Sequence, residues 1–280
     1  MSELAPSALR RVQWGLMRMV LRTAGRSSDG IRLCLDHGLT AGTTLDYVYR
    51  NQPSGRGWLG RTFDRAFLES PGWQAVRDRR ANLEALLAEA VVEVRGQGRL
   101  VSLLDVASGP GAYVLAVLAQ VGAEGVVARC RDLDPAGLEE GRTAAARRGL
   151  TQVTFEQGDA LDRESILRIT PRPNVAIASG FYDWITDDEI VRRSIAIVAE
   201  ALEPGGFFVV TNQVAHPDLA FVSAVFTDHH HQPLRMKMRQ AAVVESWLTS
   251  AGLEIEATRS DRHGYYSVTR ARKPGTVPGR

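Results

Sequence analysis

The sequence predicts an α/β protein built on a doubly wound, mostly parallel sheet. Three observations carry that prediction. Buried-strand patterns alternate with helical patterns from Arg99 onward, a Gly-x-Gly turn joins the first strand of that series to its first helix, and acids end successive strands. The chain of 280 residues has room for such a domain and an appendage.

The elements follow in order. RLVSLLDVA reads as a buried strand, AYVLAVLAQVG as a short helix and GVVARCRDLD as a second strand. PAGLEEGRTAAARRGL is a helix that opens at Pro135 and closes at Gly149. VTFEQGDALD and NVAIASG are the third and fourth strands. DDEIVRRSIAIVAEAL is a helix with Ile190, Ile195, Ile197 and Val198 among its apolar positions, and the Pro204-Gly205-Gly206 turn leads into a fifth strand, GGFFVVTNQ. GLEIEATRSDRHGYYSVTRARK holds two strand-like runs around Arg262-His263-Gly264, an antiparallel hairpin that brings the count to seven strands. The final KPGTVPGR reads as a tail.

Residues 1–98 read differently, as a helical N-terminal region. Val76, Leu83, Leu86, Leu87, Ala90 and Val94 fall at helical spacing until Gly96 and Gly98 stop the run, and Leu45 to Arg65 reads as an ordered loop region with short helices. The first segment is amphipathic. Leu9, Val12, Leu16, Met19 and Thr23 share one face, and Arg11, Arg18 and Arg22 lie on the other. Three readings follow: a helix docked on the protein's own core, a helix lying on an anionic membrane surface, or a mitochondrial-type presequence. The arginine- and alanine-rich style is bacterial and favours the first two.

Composition sets the class. Hydrophobic content of 44% and charged content of 24% are globular values, and a net charge of +2 makes no global case for nucleic acid. Cys34 and Cys130 form no framework, which points to free thiols in a reducing, cytoplasmic compartment. No apolar run is long enough to span a bilayer, and arginines interrupt any secretory core.

The loop in LLDVASGPGAYVL narrows the ligand. A dinucleotide fingerprint wants a third glycine, where Val114 stands, and no Gly-Lys-Ser/Thr follows to make a phosphate loop. A loop without a phosphate-binding lysine but with acids around it suits a ligand with a sulfonium and an amino-acid tail. Gly109 and Gly111 let backbone approach the methionine part, and Asp105 acts on its ammonium group. Asp132, ending the second strand, can accept both ribose hydroxyls, and Asp159, after the third, can accept from the adenine amino group.

D-x-A-x-G-x-G (Asp105, Ala107, Gly109, Gly111), the strand-end acid, GDA at 158–160 and PGG at 204–206 together resemble a class I S-adenosylmethionine-dependent methyltransferase, over Arg99 to Lys273. The resemblance implies a Rossmann-like seven-stranded sheet whose last hairpin is antiparallel, with S-adenosyl-L-methionine as cofactor. It places Leu133, Ala160, Ser179 and Phe181 beside the cofactor, with Asp105, Ala107, Gly109, Gly111, Asp132 and Asp159. It also divides the chain into a helical cap over the substrate (1–98), the cofactor-binding domain (99–273) and a tail (274–280). LDYVYRNQPSGRG, GRTFDRAFLESPGWQAVRDRRANLEALL, SGFYDW and HPDL further resemble a family of bacterial "putative methyltransferases", almost end to end. Some members of that family are fused behind an α/β-hydrolase domain, and some accompany phospholipid-synthesis enzymes. This chain contains no G-x-S-x-G elbow.

The acceptor side is expected after the fourth and fifth strands. His216 is the first choice of general base, with Tyr182 and Asp183 as further catalytic candidates and Gln213 and His229 as substrate contacts. Tyr49 and Arg50 in the N-terminal region suit an anionic acceptor. Adjacent histidines splay, so of His229-His230-His231 only His229 and His231 could share a face, with Asp228 able to join them, and no metal is expected. The expected partner is a small-molecule or lipid-like substrate, small or lipid-linked and anionic, with a natural-product tailoring methyltransferase equally compatible. An NAD-dependent oxidoreductase and a non-catalytic S-adenosylmethionine-binding protein are the other classes. Nucleic-acid methylation is disfavoured, because Ser179-Gly180-Phe181-Tyr182 stands where an Asn/Asp-Pro-Pro-Tyr/Phe motif would be.

Overall fold

The computed structural model describes residues 8–216, 219–228, 231–232 and 234–275. In chain order, its helices and strands are α1 (Ala8–Arg22), α2 (Asp29–His37), α3 (Gly42–Arg50), α4 (Gly57–Leu68), α5 (Pro71–Gly96), β1 (Val101–Asp105), α6 (Ala112–Val121), β2 (Val126–Asp132), α7 (Pro135–Arg147), β3 (Val153–Gln157), α8 (Arg163–Leu167), β4 (Val175–Ala178), α9 (Asp188–Ala201), β5 (Phe207–Gln213), α10 (Leu219–Val225), α11 (Ala241–Ser250), β6 (Glu254–Ser260) and β7 (Tyr266–Arg272). Short 3-10 turns occupy Ala24–Ser27 and Tyr182–Trp184.

The chain forms two compact units. One holds residues 1–77 with 216–235, and the other holds 78–215 with 236–280. The division differs from the boundary read at residue 98. Leu83, Leu86, Leu87, Ala90 and Val94 of α5 pack into the sheet's own core, so most of that helix belongs to the sheet unit.

In the sheet unit the strand order is β3-β2-β1-β4-β5-β7-β6. The first five strands are parallel, and β7 pairs antiparallel with both β5 and β6. Alternation along each strand builds two cores. Leu103 faces one layer with α5, α6 and Leu138 of α7. Leu104, its neighbour, faces the other with Ile195 and Val198 of α9 and Trp247 and Leu248 of α11. Because β1 has β2 on one side and β4 on the other, the chain reverses its winding there, and the carboxyl ends of the strands at such a switch point are where open α/β sheets bind ligands.

The N-terminal unit is helical, with Cys34, Val225 and Phe226 buried among Leu21, Leu35, Phe67, Trp73 and Phe221. Its centre is polar. The Asp64 side chain is fully buried and accepts from Ser28 Oγ at 2.5 Å, Gly30 N at 2.9 Å, Tyr47 Oη at 2.6 Å, Ser54 N at 3.1 Å and Gly55 N at 2.6 Å. Burial pushes this carboxyl up, but the hydrogen bonds outweigh it and hold the group below the usual carboxylate range. Of the three readings of α1, docking on its own unit is met, but not through the apolar stripe. Val12, Leu16 and Met19 face outward, while Trp14, Arg18 and Leu21 turn inward and the Arg18 guanidinium donates to the Ala224 carbonyl of α10.

Candidate functional site

Parallel pairing puts the ends of β3, β2, β1, β4 and β5 side by side, so the loops after them share one edge. Asp159, Asp132, Asp105, Ser179 and Gln213 follow those strands in that spatial order. Residues far apart in sequence thereby reach one edge.

Asp105 ends β1 and is fully buried. Its Oδ2 accepts from the Tyr113 hydroxyl at 2.5 Å, and its Oδ1 accepts from Ala107 N at 3.4 Å. Burial raises its pKa to about 7, the two hydrogen bonds pull it down, and the nearby Asp132 charge adds to the rise. Tyr113 stands in the first turn of α6 and escaped the sequence reading; its signal was an aromatic residue two places past Gly111.

The loop itself is shaped by glycine. Gly109 and Gly111 have φ of +52° and +63°, the left-handed region where side chains are strained. A Cβ at Gly111 would also lie 3.1 Å from Cys130 Sγ and 3.2 Å from the Phe155 ring. The loop therefore presents bare backbone because both conformation and packing require it.

Asp132 is held by that loop. Its Oδ2 accepts from Gly109 N at 2.7 Å and its Oδ1 from Asp134 N at 2.9 Å. An ionised carboxylate has about four lone-pair sites, so each oxygen keeps one for a further donor. Two oxygens, each oriented and each able to accept once more, match a pair of vicinal hydroxyls. Leu133 beside it is apolar and 61% exposed, a flat surface at the same edge. Asp159 is exposed and oriented by Leu161 N at 2.8 Å, while Ala160 is buried. Arg131, 5% exposed, ties this corner together through Glu156 at 3.2 Å and Ser165 Oγ at 2.8 Å, and fills the space that a side chain at Gly158 would need.

On the other side of β1, Ser179 and Phe181 are half-buried at the end of β4, and Gly180 N donates to Thr211 Oγ1 at 2.7 Å. Tyr182, which the sequence offered as a catalytic candidate, is turned into the core. It is 2% exposed in the α9 layer, its hydroxyl 3.2 Å from Ser194 Oγ, and burial drives its pKa far up. Asp183 is also buried, with Oδ1 accepting from Gln213 N at 2.8 Å. Burial raises its pKa, and the Gln213 hydrogen bond with the charges of Arg79 and Arg239 pulls it down.

Arg79 reads in the sequence, with Arg77 and Arg80, as a solvated helix face with one member turned to a carboxylate, and Arg239 was missed as a site-shaping group, since its partners are remote in sequence. The Arg79 guanidinium lies 4.9 Å above the Tyr266 ring. The buried Arg239 clamps the 182–188 turn through Tyr182 O at 2.8 Å, Ile185 O at 2.5 Å and Asp188 Oδ1 at 2.9 Å.

The remaining candidates are not brought to this edge within the sheet unit. His216 opens the 216–235 segment of the N-terminal unit, and Tyr49 and Arg50 lie in that unit as well. Arg50 lines a pocket there of about 250 Å³, with Asp29, Arg32, Tyr47 and Ser54. Arg32 pairs with Asp29 at 2.8 Å, which raises its pKa further. Tyr49 is half-buried. His229 lies outside the described residues. Among the described residues no cluster of His, Cys, Asp and Glu could hold a metal ion.

The comparisons bear on the family and the fold. A family model described as "Putative methyltransferase" matches residues 1–273. YnbC of Escherichia coli (strain K12) is 37% identical over 257 residues, covering 91% of this chain. The chain spans 44% of that relative's length. Among solved structures, a "possible exported protein" from Bordetella parapertussis matches with a TM-score of 0.71 at 24% identity, over 92% of this chain and 87% of that one. Magnesium protoporphyrin IX methyltransferase from Synechocystis PCC 6803, solved with S-adenosylhomocysteine, matches with a TM-score of 0.56 at 15% identity, over 85% and 97%. These likenesses establish the seven-stranded methyltransferase fold.

Proposed function

Because the chain belongs to this methyltransferase family, we propose that it transfers the methyl group of S-adenosyl-L-methionine to a small or lipid-linked anionic acceptor. The observation that carries the cofactor part is the Asp132 carboxylate, held by two backbone N–H groups with one lone pair left on each oxygen. The rest of the edge fits the same molecule. Glycine backbone replaces side chains in the loop, the helix after it (AYVLAVLAQV) carries no cation that would select a phosphate, and Leu133 and Phe181 offer apolar surfaces for a base. Bound there, S-adenosylmethionine supplies an electrophilic methyl carbon on a sulfonium.

The chain's own part is positioning. Asp132 holds the ribose hydroxyls, Asp159 the adenine amino group, and Asp105 the ammonium group. Ser179 and Phe181 bound the side toward β4. Orientation of two reactants accounts for roughly 7–11 kcal/mol of barrier lowering at best. An acceptor that is already anionic needs no base. A hydroxyl or amine acceptor needs one, and Asp183, whose buried carboxyl has a raised pKa, and His216 are the groups for that role. Tyr182 is withdrawn from it by its burial.

For the acceptor's anionic group the candidate is Arg50, whose guanidinium suits a carboxylate or phosphate. Incubation with methyl-labelled S-adenosylmethionine and a panel of amphiphilic carboxylates, phospholipids and neutral analogues tests the reading. Label should pass to an anionic member, and Arg50→Ala should raise KM for it about tenfold or more without changing cofactor affinity, the loss of one charge-assisted contact. Label passing only to neutral acceptors would overturn the anionic assignment.

A further inference from the structure

We propose that α1 lies on the surface of an anionic phospholipid bilayer, with its outward apolar face among the lipid chains. Val12, Leu16, Met19 and Val20 are 70%, 61%, 60% and 44% exposed. At 100° per residue these four share one face, and the helix is held to its own unit from the other side, through Trp14, Arg18 and Leu21. The apolar stripe is thus not the surface by which the helix packs. At 15 residues, α1 is too short to span a bilayer but long enough to lie in its interface.

Charge identifies the occupant. Residues 8–28 contain five arginines and no acid. Arg18 and Arg26 are used internally, on the Ala224 carbonyl and on Asp36. Arg22 is exposed at the end of the helix. An apolar stripe beside cations, with no anion in the same stretch, complements anionic headgroups over acyl chains.

A second feature of the same unit points the same way. Trp58 and Leu59, in the first turn of α4, are 75% and 44% exposed. The start of α4 is fixed to the turn that follows α1, since Arg56 N donates to Ser27 O at 2.8 Å and Gly60 packs on Ser27 without room for a Cβ. Arg61 and Arg65 are exposed on the same helix. An exposed tryptophan with nearby arginines is the usual composition of a headgroup-level anchor.

Co-sedimentation of the full chain with vesicles tests this. One set is phosphatidylcholine alone and the other contains phosphatidylglycerol, each at low and high salt. The expected result is salt-sensitive binding to the anionic set, weakened about tenfold or more in the double variant Leu16→Glu, Met19→Glu, because apolar area no longer leaves water. Trp58→Glu should weaken it independently. All three changes are at exposed positions, and an unchanged circular dichroism spectrum and urea midpoint report an intact fold. No binding of the intact chain to anionic vesicles overturns the proposal, as does equal binding by the double variant. A concentration-dependent dimer that the double variant abolishes, without vesicle binding, would assign the face to a second copy and also overturn it.

Discussion

Asp105 is fully buried, and burial raises its pKa to about 7 against the pull of Tyr113 and Ala107, so the contact proposed for it with the cofactor's ammonium group would titrate near neutrality. An ammonium group favours the ionised form, so cofactor affinity should rise as pH rises from about 6 to 8. Asp105→Asn should weaken binding and flatten that dependence in calorimetric titrations. The stability of the unliganded protein should run the opposite way. The folded pKa lies above the unfolded value near 3.9, so the folded state holds the extra proton between them. The contribution of Asp105 is full below about pH 4 and is lost as pH rises through 7. Urea midpoints compared with those of Asp105→Asn would show it. Gly111→Ala should cost about 2–4 kcal/mol, from a left-handed φ and a Cβ crowded against Cys130 and Phe155, read as a lowered urea midpoint. The edge placement of Asp105, Asp132 and Asp159 was legible because the first two end strands, the third follows β3, and parallel strand ends share an edge. Tyr182 misled because a single turn beyond β4 decides whether a side chain faces that edge or the core. Arg131 and Arg239 were invisible as scaffolding, since their partners include Ser165 and Tyr182, each more than thirty residues away.

At the scale of elements, the N-terminal unit hangs on one carboxylate. Asp64 gathers donors from the start of α2, from α3 and from the loop before α4. Asp64→Ala leaves those donors buried without an acceptor and should cost about 3 kcal/mol or more. Hydrogen exchange across residues 28–68 should lose protection accordingly. Its pKa is held below the usual carboxylate range, so this stabilisation is present above about pH 4 and is lost as pH falls through the folded value. A sequence shows Asp64 as one acid among arginines in GRTFDR, because the donors that meet it are set by tertiary packing. The strands and α5 were readable from periodicity alone, with α5 ending at Gly96 as its glycine signal implied. α10 and α11 were not assigned. The first is a seven-residue helix, and the second buries only Val244, Trp247 and Leu248, too few positions to show a period.

At the scale of the molecule, alternation of strand and helix dictated the parallel sheet, and the Arg262-His263-Gly264 turn dictated its antiparallel edge. The grouping of 216–235 with the N-terminal helices was not legible, since Val225 and Phe226 meet Cys34 and Phe67 only in three dimensions. The same limit applies to His216, which follows β5 in sequence but belongs to the helical unit. The central claim is that the strand-end acids hold S-adenosylmethionine. Calorimetric titration of the chain and of Asp132→Ala, each with S-adenosylmethionine, S-adenosylhomocysteine and NADH, tests it most directly. The account predicts that the intact chain binds both sulfur compounds, that the variant binds them at least about tenfold more weakly through loss of the paired ribose contacts, and that NADH gives no heat of binding. Tight NADH binding, or equal binding of S-adenosylmethionine by both proteins, would contradict it.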